Sequence, residues 1–483
     1  MLLTVDIGTS IFKSAVWDFD GDRKAFASFP LSAGSSRDGE QNGGLCHEAD
    51  SGQWLRAFEE CSHSLNAAIS LASIEALVIS GNGPSLTPVL KNIKKNPESE
   101  INDFRVAAAP ARLWLDRRAV KAAEQVSALS GGFVDASFYL PKVLDIKINE
   151  PELYEKTKFF LGCSELLAYA LTDEARTVYP SDGFDRWFWN DSILEKLAVD
   201  KSKLPPFIRP GETFGTLARQ LSARFGLKPG IPVISGGPDF FAAILGSGAV
   251  KPGHVCDRAG TSEGINLCTE KFIPEKKLMC YGHPVKPYWN LSGIVSTTGK
   301  AVEWACNFLG FENYNDFYAL ADKARAGAGG LVFLPYLAGE RAPVWDPSAR
   351  GILRGLSLSA GRPEFARSVL EGVCFAIRDI IGIMETAGAS ADELHIAGSA
   401  AGSSLLNQIK ADITGKPVLV PRQKEAELSG LSLIGACALG KYSSYSEASE
   451  KFVHIEKTFI PDSKNTALYD DLFDEYRILK TIA

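Results

Sequence analysis

The stretch that decides the fold is residues 233–268, VISGGPDFFAAILGSGAVKPGHVCDRAGTSEGINLC. It predicts a strand end, a Gly-Gly-Pro-Asp turn, a short apolar helix, a turn at residues 251–253 and a hairpin around residues 260–262. Gly236 and Gly237 carry no Cβ, so this turn can approach a ligand closely. Pro238 suits the first helical position, which places Asp239 at a helix N-terminus, where an ionised carboxylate is favoured.

Asp239 has two interpretations. An ionised carboxylate in a glycine-lined mouth can accept a proton from a bound hydroxyl. Aspartate also commonly caps the start of a helix. This stretch alone favours the cap, whereas the rest of the chain favours the base.

The N-terminus predicts a second hairpin of the same kind. The short buried strand at residues 2–5 leads through Asp6-Ile7-Gly8-Thr9-Ser10 into a strand at residues 13–17. Backbone N–H groups and hydroxyls in such a turn can cradle phosphates, and Asp6 can hold a hydrated Mg²⁺ beside them. An ordinary turn, in which the aspartate bonds its own backbone, explains a single copy equally well.

The pattern occurs twice, which predicts a duplication. Residues 257–262 (DRAGTS) repeat an acid followed by Gly-Thr-Ser, and the buried strands at residues 77–81 and 394–398 both end in glycine. Landmarks shared by two halves suggest a duplicated α/β unit, with a ligand expected in a cleft between the halves. We therefore predict an N-terminal domain at residues 1–243 and a C-terminal domain at residues 244–483.

Composition excludes several classes of protein. A chain of 483 residues is too long for one core, and 45% hydrophobic with 23% charged residues is typical of globular proteins. The net charge is -7 and no Lys/Arg run exceeds a pair, so no nucleic-acid surface is expected. Neither a signal peptide nor a membrane span is predicted. The nine scattered cysteines lack a CxxC pair, which predicts reduced thiols in the cytoplasm rather than disulfides or a zinc site.

Four further segments allow alternatives. The RLWLDRR segment at residues 112–118 suits either a polar substrate or an exposed, ion-paired helix start. The aromatic residues 179–190 form either a pocket wall or a local core. The small residues 397–403 would let a flat base lie on the backbone, but close helix–strand packing needs small residues too. At Gly299-Lys300 the P-loop frame fails, because residue 294 is Ile and residue 301 is Ala.

Taken together, these patches resemble the FGGY carbohydrate kinases of the actin and hexokinase superfamily. The most specific match is the C-terminal family signature, which fits without a gap at Gly351, Leu353, Gly355, Leu356, Glu364, Phe365, Ser368, Val369, Leu370 and Glu371. The resemblance runs through the whole chain in order. It implies an α/β fold of two duplicated actin/hexokinase-like (ribonuclease H-like) domains with a deep interdomain cleft.

The resemblance also implies roles for particular residues. The first domain would bind a small sugar or polyol, with Asp239 as the catalytic base and Asp6 beside Mg²⁺. The second domain would bind ATP. The nucleotide-binding positions implied are Gly8, Thr9, Ser10 and Lys13 around the first loop, Gly260, Thr261 and Ser262 in the second, Gly299, and the adenosine motif Gly398, Ser399, Ala400 and Ser403.

The sugar side departs from the family pattern. Glycerol kinases carry an Arg-Glu pair after the Ser-x-Gln of the early strand and xylulose kinases a Met-His pair, whereas the aligned segment at residues 80–85 (SGNGPS) has neither. Phe240 replaces a frequent Asn or Gln. Lys142 is kept, but Asp145 replaces the signature tryptophan. The predicted substrate-side residues are Asn82, Gly83, Asp116, Asp239 and Phe240. The overall pattern resembles xylulose kinases most, so a xylulose-like ketopentose or a related polyol is expected, with glycerol, ribulose or gluconate as alternatives. A homodimer is a further expected partner, because dimers are frequent in such families.

Two rival functions belong to other classes. A sugar sensor with weak transfer activity fits the altered sugar side, although a pure binder has no need of Asp239. A serine hydrolase fits the G-x-S-x-G frame at residues 260–264. That elbow requires a helix after the serine, whereas the following residues alternate like a strand.

Overall fold

The computed structural model describes residues 1–32, 45–91, 106–346 and 348–483. These residues form two compact units. The first contains Met1–Ala242 and Glu427–Phe452, and the second contains Ala243–Ala426 and Val453–Ala483. The units divide one residue before the predicted boundary at 243, but the return of residues 427–452 to the first unit departs from the predicted domains. This packing requires glycine at position 430, because a Cβ there would lie 1.9 Å from the Ala242 carbonyl oxygen.

The elements up to residue 247 begin with a hairpin and end with the helix that starts at Asp239. The strands are β1 (Leu2–Ile7), β2 (Ile11–Trp17), β3 (Arg23–Pro30), β4 (Glu48–Ala49), β5 (Ala76–Gly81), β6 (Thr87–Leu90), β7 (Ala111–Arg112), β8 (Thr157–Leu161), β9 (Thr177–Val178), β10 (Phe207–Ile208), β11 (Thr213–Thr216) and β12 (Pro232–Pro238). The α-helices are α1 (Gly52–Ala68), α2 (Val120–Ser130), α3 (Tyr139–Asn149), α4 (Pro151–Lys156), α5 (Cys163–Thr172), α6 (Asp191–Lys196), α7 (Arg219–Phe225) and α8 (Asp239–Ser247).

The later elements repeat the opening hairpin. The strands are β13 (His254–Ala259), β14 (Glu263–Thr269), β15 (Met279–Gly282), β16 (Trp289–Val295), β17 (Val332–Leu334), β18 (Ile352–Arg354), β19 (Glu393–Gly398), β20 (Val418–Pro421) and β21 (Ile455–Phe459). The α-helices are α9 (Gly299–Phe308), α10 (Tyr314–Ala321), α11 (Arg362–Thr386), α12 (Ser404–Thr414), α13 (Ala426–Ala438), α14 (Tyr445–Phe452) and α15 (Ser463–Lys480).

Each unit is built on one large mixed sheet, and the two sheets share a topology. The first has the order β11-β12-β5-β1-β2-β3, and the second β15-β16-β14-β13-β19-β20-β21. In each, three antiparallel strands (β3-β2-β1 and β16-β14-β13) are followed by two parallel ones (β5-β12 and β19-β20). The predicted duplication is confirmed.

The register corrects one part of the predicted repeat. Gly81 pairs with Ile7, and Gly398 pairs with Ala259, so Gly8 and Gly260 are equivalent positions. By the same register the counterpart of Asp6 is Arg258. Asp257 is therefore one residue out of phase, and its side chain points to the opposite side of its strand.

Each unit has its own apolar core. In the first, α1 and α5 pack on the sheet, and in the second the long helix α11 packs on β16 and β17 with α12 beside it. All nine cysteines are free thiols, and eight of them are buried. Within the described ranges, every helix is either too short or too polar to cross a membrane.

Candidate active site

Two of the predicted acids lie on one edge of the first sheet. Gly81 of β5 pairs with Ile7 of β1 on one side and with Pro238 of β12 on the other, so the three strands end together. Asp6 precedes Ile7, and Asp239 follows Pro238. Because neighbouring strands are about 4.8 Å apart, the two backbones lie roughly 10 Å from each other. The sheet therefore places both acids at the carboxyl end of its parallel strands.

Asp239 is the first residue of α8. β12 ends at Pro238, the position predicted to begin the helix, so α8 starts one residue later than predicted. The Asp239 Oδ1 accepts a hydrogen bond of 2.7 Å from the Phe240 N–H. A carboxylate suits the N-terminus of a helix, and the Asp239 residue is partly exposed there.

The glycines before Asp239 have a packing role. Gly237 has φ +75°, and a Cβ there would lie 2.8 Å from Pro210 Cγ. A Cβ at Gly236 would lie 2.1 Å from a Leu431 methyl of α13. Gly236 thus lets α13, in the segment of the chain that returns to the first unit, approach β12. Close approach of a ligand to these glycines stays a prediction.

The first predicted phosphate loop connects β1 and β2. The Gly8 N–H donates to the Ile11 carbonyl oxygen at 3.1 Å, and Ser10 is exposed. The Thr9 hydroxyl accepts a 3.0 Å hydrogen bond from the Trp114 indole N–H, which leaves its own proton to donate elsewhere. Asp6, 5% exposed, stands opposite Lys13 in the hairpin register, so the two side chains lie on the same side of the sheet.

The second predicted phosphate loop packs against the start of α9. The Gly299 N–H donates to the Gly260 carbonyl oxygen at 3.1 Å, and the Lys300 N–H donates to that of Thr261 at 3.2 Å. A Cβ at Gly299 would lie 2.3 Å from the Gly260 oxygen, so only glycine fits. The fold therefore brings Gly299 to the loop of Gly260, Thr261 and Ser262, and the Thr261 residue is exposed.

The predicted adenosine motif follows β19. Gly398 has φ +84°, and a Cβ there would lie 2.1 Å from the Ala259 carbonyl oxygen. Ser399 and Ala400 begin a 3-10 turn, Ser399–Gly402. Ser403 caps α12, since its Oγ accepts the Leu406 N–H at 3.3 Å. Close packing accounts for Gly398, and contact of this segment with an adenine base stays a prediction.

Lys410, which the sequence analysis did not single out, holds the second loop in place. Its Nζ donates to Asp257 just before the loop and, at 2.6 Å, to Glu263 just after it. Lys410 and Asp257 are fully buried. Burial disfavours the ammonium, but the two carboxylates outweigh it and raise the pKa of Lys410. The available signal was a lysine on the apolar face of α12, four residues after Leu406 and three before Ile413.

Asn82 engages its amide with neighbouring protein groups. Its Nδ2 donates to the Ile7 carbonyl oxygen at 2.9 Å, and its Oδ1 accepts from the Ser85 hydroxyl at 2.7 Å. These bonds hold the end of β5 on β1. Gly83, the next residue, is exposed. Sugar contacts by Asn82 and Gly83 stay predictions.

Asp116 is buried rather than exposed, and its carboxylate accepts hydrogen bonds from neighbouring groups. Its Oδ2 accepts from the His47 N–H at 2.8 Å and from Arg118 Nη2 at 2.6 Å, and Arg118 also contacts Glu48 at 2.8 Å. The expected ion pair is confirmed, and its expected exposure is wrong. A substrate contact by Asp116 stays a prediction.

Lys142 joins two backbone segments on the predicted sugar side. Its Nζ donates to the carbonyl oxygens of Pro84 and Leu113, each at 2.7 Å. Leu113 precedes Trp114, the partner of Thr9. The side chain is fully buried, and this desolvation lowers the pKa of Lys142 to about 7.

The aromatic segment contacts the residue next to Asp239. The Phe184 and Phe240 rings stack with centroids 6.4 Å apart, and Phe184 also contacts Trp187 at 5.2 Å. Further along, Tyr179, Trp189 and neighbouring residues line a cavity of about 450 Å³. The segment is thus both a local core and a cavity wall.

The hydrolase alternative fails on local structure. β14 begins at Glu263, directly after Ser262, so a strand rather than a helix follows the serine. A nucleophile elbow requires strand, turn and helix in that order. The match to G-x-S-x-G is a coincidence.

Family models match nearly all of the chain. The model of the N-terminal domain of the FGGY family of carbohydrate kinases matches residues 1–246, and that of its C-terminal domain matches residues 258–439. The chain belongs to the FGGY family of carbohydrate kinases. It is therefore a sugar kinase, for which ATP is a substrate, and the predicted family is confirmed.

Individual relatives span the same length as this FGGY chain. The xylulose kinase of Bacillus subtilis (strain 168) is 26% identical over 503 residues, which cover 99% of this chain and 96% of that protein. A ligand-bound xylulose kinase from Lactobacillus acidophilus has a TM-score of 0.85 at 24% identity, covering 100% and 98% of the two chains. A gluconate kinase from the same organism also has a TM-score of 0.85 at 24% identity, covering 100% and 97%. The predicted ribonuclease H-like, actin-like fold is confirmed.

The FGGY signature ends in a structural acid. Glu371 Oε1 accepts hydrogen bonds from the Tyr469 hydroxyl and from Arg367 Nε, each at 2.7 Å, and from the Gly327 N–H at 3.0 Å. Glu371 is buried on α11. Its place in the signature is thus explained by how α11 is anchored.

Proposed function

We propose that this chain transfers the terminal phosphoryl group of ATP to a ketopentose of the xylulose type, with Asp239 as the general base. The observation that carries the proposal is the position of Asp239 on the same sheet edge as Asp6 and the Thr9 loop. Phosphoryl transfer needs little covalent chemistry from the protein, so positioning and charge stabilisation account for most of it.

Asp239 receives the proton of the attacking hydroxyl. Its Oδ1 already accepts from the Phe240 N–H, which fixes the carboxylate toward the end of β12. A general base must lie within hydrogen-bond reach of the hydroxyl, so the sugar binds against this edge of the first unit. Asn82, Gly83, Asp116 and Phe240 are the further residues we assign to the sugar side.

The two loops supply donors for the phosphates. Thr9 retains a hydroxyl proton to donate because its oxygen accepts from Trp114. Gly8, Ser10 and Lys13 complete the first set. The second set contains Gly260, Thr261, Ser262 and Gly299, with Gly398, Ser399, Ala400 and Ser403 on the adenosine.

Asp6 suits Mg²⁺, which prefers oxygen ligands and keeps several waters. A buried carboxylate beside a phosphate loop matches that donor set. When bound, the ion neutralises charge on the phosphates. Lys13, across the hairpin from Asp6, adds a positive charge near the same position.

Whole-length similarity to a protein named xylulose kinase supports the choice of a ketopentose. The equal structural similarity to a gluconate kinase makes gluconate the main alternative. Phe240 gives this chain an aromatic ring at a position where an amide would bind a hydroxyl, so we expect fewer polar contacts to the sugar than in typical relatives.

A coupled ADP-release assay with Mg-ATP tests the proposal across ketopentoses, aldoses, gluconate and glycerol. We expect a ketopentose to give the highest kcat/KM. A higher kcat/KM for gluconate than for every ketopentose would overturn the proposed choice of substrate. Silence across the panel with ATP binding intact would favour the sensor over the kinase.

A further inference from the structure

A cluster of two histidines and one glutamate lies at the opposite end of the second sheet from the phosphate loop. His254 begins β13, and its partner in the parallel register is Glu393, the first residue of β19. His395 is two residues further along β19, so all three side chains lie on the same side of the sheet. Six residues of β13 separate His254 from Gly260, which is about 20 Å of strand. The cluster is therefore separate from the residues assigned to ATP.

The protonation of both rings follows from their neighbours. His395 Nδ1 lies 2.9 Å from the Ser247 carbonyl oxygen, and His254 Nδ1 lies 3.3 Å from that of Gly248. A carbonyl oxygen only accepts, so each Nδ1 carries a proton. Each ring then presents its Nε2 to Glu393, and a metal bound there would replace the proton through which Nε2 hydrogen-bonds the carboxylate. Fixing the tautomer through an Nδ1–H bond to a carbonyl is the arrangement that metal-binding histidines use.

The Nε2 atoms of both rings face one carboxylate oxygen. Glu393 Oε1 lies 2.8 Å from His395 Nε2 and 3.3 Å from His254 Nε2. Ligand atoms of the three side chains all lie within 4.8 Å of one another. In a tetrahedral zinc site with bonds of about 2.1 Å, neighbouring ligand atoms are about 3.4 Å apart. The spacing fits such a site.

One ring has to turn for the metal to bind. The two imidazoles are stacked with centroids 4.8 Å apart and planes 20° from parallel, so one ion cannot lie in the planes of both rings as they stand. His254 has the longer Nδ1 contact and is 22% exposed, which allows its ring to rotate toward the shared point. The same exposure gives the ion a path from solvent and leaves a position for water.

We propose that His254, Glu393 and His395 bind one transition-metal dication of the zinc class, with water as the remaining ligand. Two imidazoles and a carboxylate are a donor set that selects such ions over Mg²⁺. Through the Nδ1 bond of His395 to Ser247, the bound metal would tie the starts of β13 and β19 to the end of α8.

Cobalt and zinc titrations of the metal-free full chain, in excess Mg²⁺, test the site. We expect one Co²⁺ per chain with a tetrahedral d–d absorption and no thiolate charge-transfer band, displaced by one equivalent of Zn²⁺. Glu393→Gln and His395→Gln are each expected to weaken binding by roughly 100-fold. His63→Gln, on the exposed face of α1, is the matched control and should bind as the wild type does.

Thermal melting without metal verifies that each variant is folded, and Zn²⁺ should raise the melting temperature of the wild type and His63→Gln only. Absence of Co²⁺ binding to the wild type would overturn the proposal. So would a folded Glu393→Gln variant that binds with wild-type affinity, since the trio would then be an ordinary ion pair with a stacked neighbour.

Discussion

At the scale of single residues, Lys142 shows how a buried amine can hold two loops. A neutral amine has two N–H groups, and Lys142 has two carbonyl acceptors, on Pro84 and Leu113. A third proton on the amine would need a further acceptor in a dry environment, which is why desolvation lowers the pKa to about 7. Lys142 is thus a positioning residue for the sugar side and, through Leu113, for Trp114.

This pKa predicts a pH dependence of stability. An unfolded lysine titrates near 10.4, so between about pH 7 and pH 10 the unfolded chain holds a proton that the folded chain lacks. The free energy of unfolding therefore rises with pH across that window, by up to about 1.4 kcal/mol per unit from this group, and the contribution is constant below it. Lys142→Met should lack this component, so its free energy of unfolding should not show this rise. Urea denaturation of both proteins at several pH values checks it, and parallel pH curves would contradict it.

Trp114 should affect ATP use through Thr9. Trp114→Phe removes the indole N–H that orients the Thr9 hydroxyl, and a hydrogen bond of this kind is worth about 1 kcal/mol. We expect kcat/KM for ATP to fall about 5-fold, with the KM for the sugar unchanged. Steady-state kinetics measure both.

A matched control removes the same kind of bond from the core. The Trp17 indole N–H donates to the Thr4 hydroxyl at 2.9 Å, away from the loop. Trp17→Phe should lower stability and leave kcat/KM for ATP as it is. An equal loss of kcat/KM for ATP in both variants would contradict a specific role of Trp114 at the Thr9 loop.

At the scale of elements, the second phosphate loop is held by α12. Lys410 bridges Asp257 and Glu263, which flank the loop, and all three side chains are buried. Removing one partner of a buried ion pair leaves uncompensated charge. Lys410→Met should therefore lower the free energy of unfolding by about 3–5 kcal/mol and raise the KM for ATP.

Lys416 provides the comparison for Lys410. It pairs with Glu385 at 2.7 Å on the surface, just after α12. Lys416→Met should cost at most about 1 kcal/mol. Urea denaturation of the two variants gives the two costs, and equal values would show that the Lys410 cluster contributes no more than a surface pair.

The elements themselves were predictable where the signal is local. Apolar runs ending in glycine predicted β5 and β19, and Asp-x-Gly-Thr-Ser predicted the first hairpin, because strands and tight turns depend on neighbouring residues. The phase of Asp257 is also readable from the sequence, because Asp6 stands two residues before its glycine and Asp257 stands three before Gly260. The pairing of β13 with β19 confirms that offset.

Long-range pairs were not predictable, because they join residues far apart in the chain. Asp145 replaces a family tryptophan, and the structure pairs it with buried Arg112 at 2.6 Å, 33 residues away. Likewise, the apolar run of α13 predicts a helix but not the unit that it joins. Gly430 and Leu431 fix that choice through contacts with Ala242 and Gly236.

At the scale of the whole molecule, the chain is a duplicated fold whose two sheets carry equivalent loops with different partners. The first sheet adds two acids to its edge, Asp6 and Asp239. The second adds Gly299 and the turn after Gly398. The division of labour proposed above, with sugar and base on the first unit and nucleotide on the second, follows from these additions rather than from the shared scaffold.

The most direct test of this account is turnover by Asp239→Asn with the sugar that the panel selects. We predict that kcat falls by roughly 10²–10⁴-fold while the Kd for ATP is unchanged, because only proton transfer is lost. Asp191→Asn, an exposed acid paired with Lys201, is the control and should keep full turnover. A folded Asp239→Asn enzyme with wild-type kcat would contradict the assignment of Asp239 as the base.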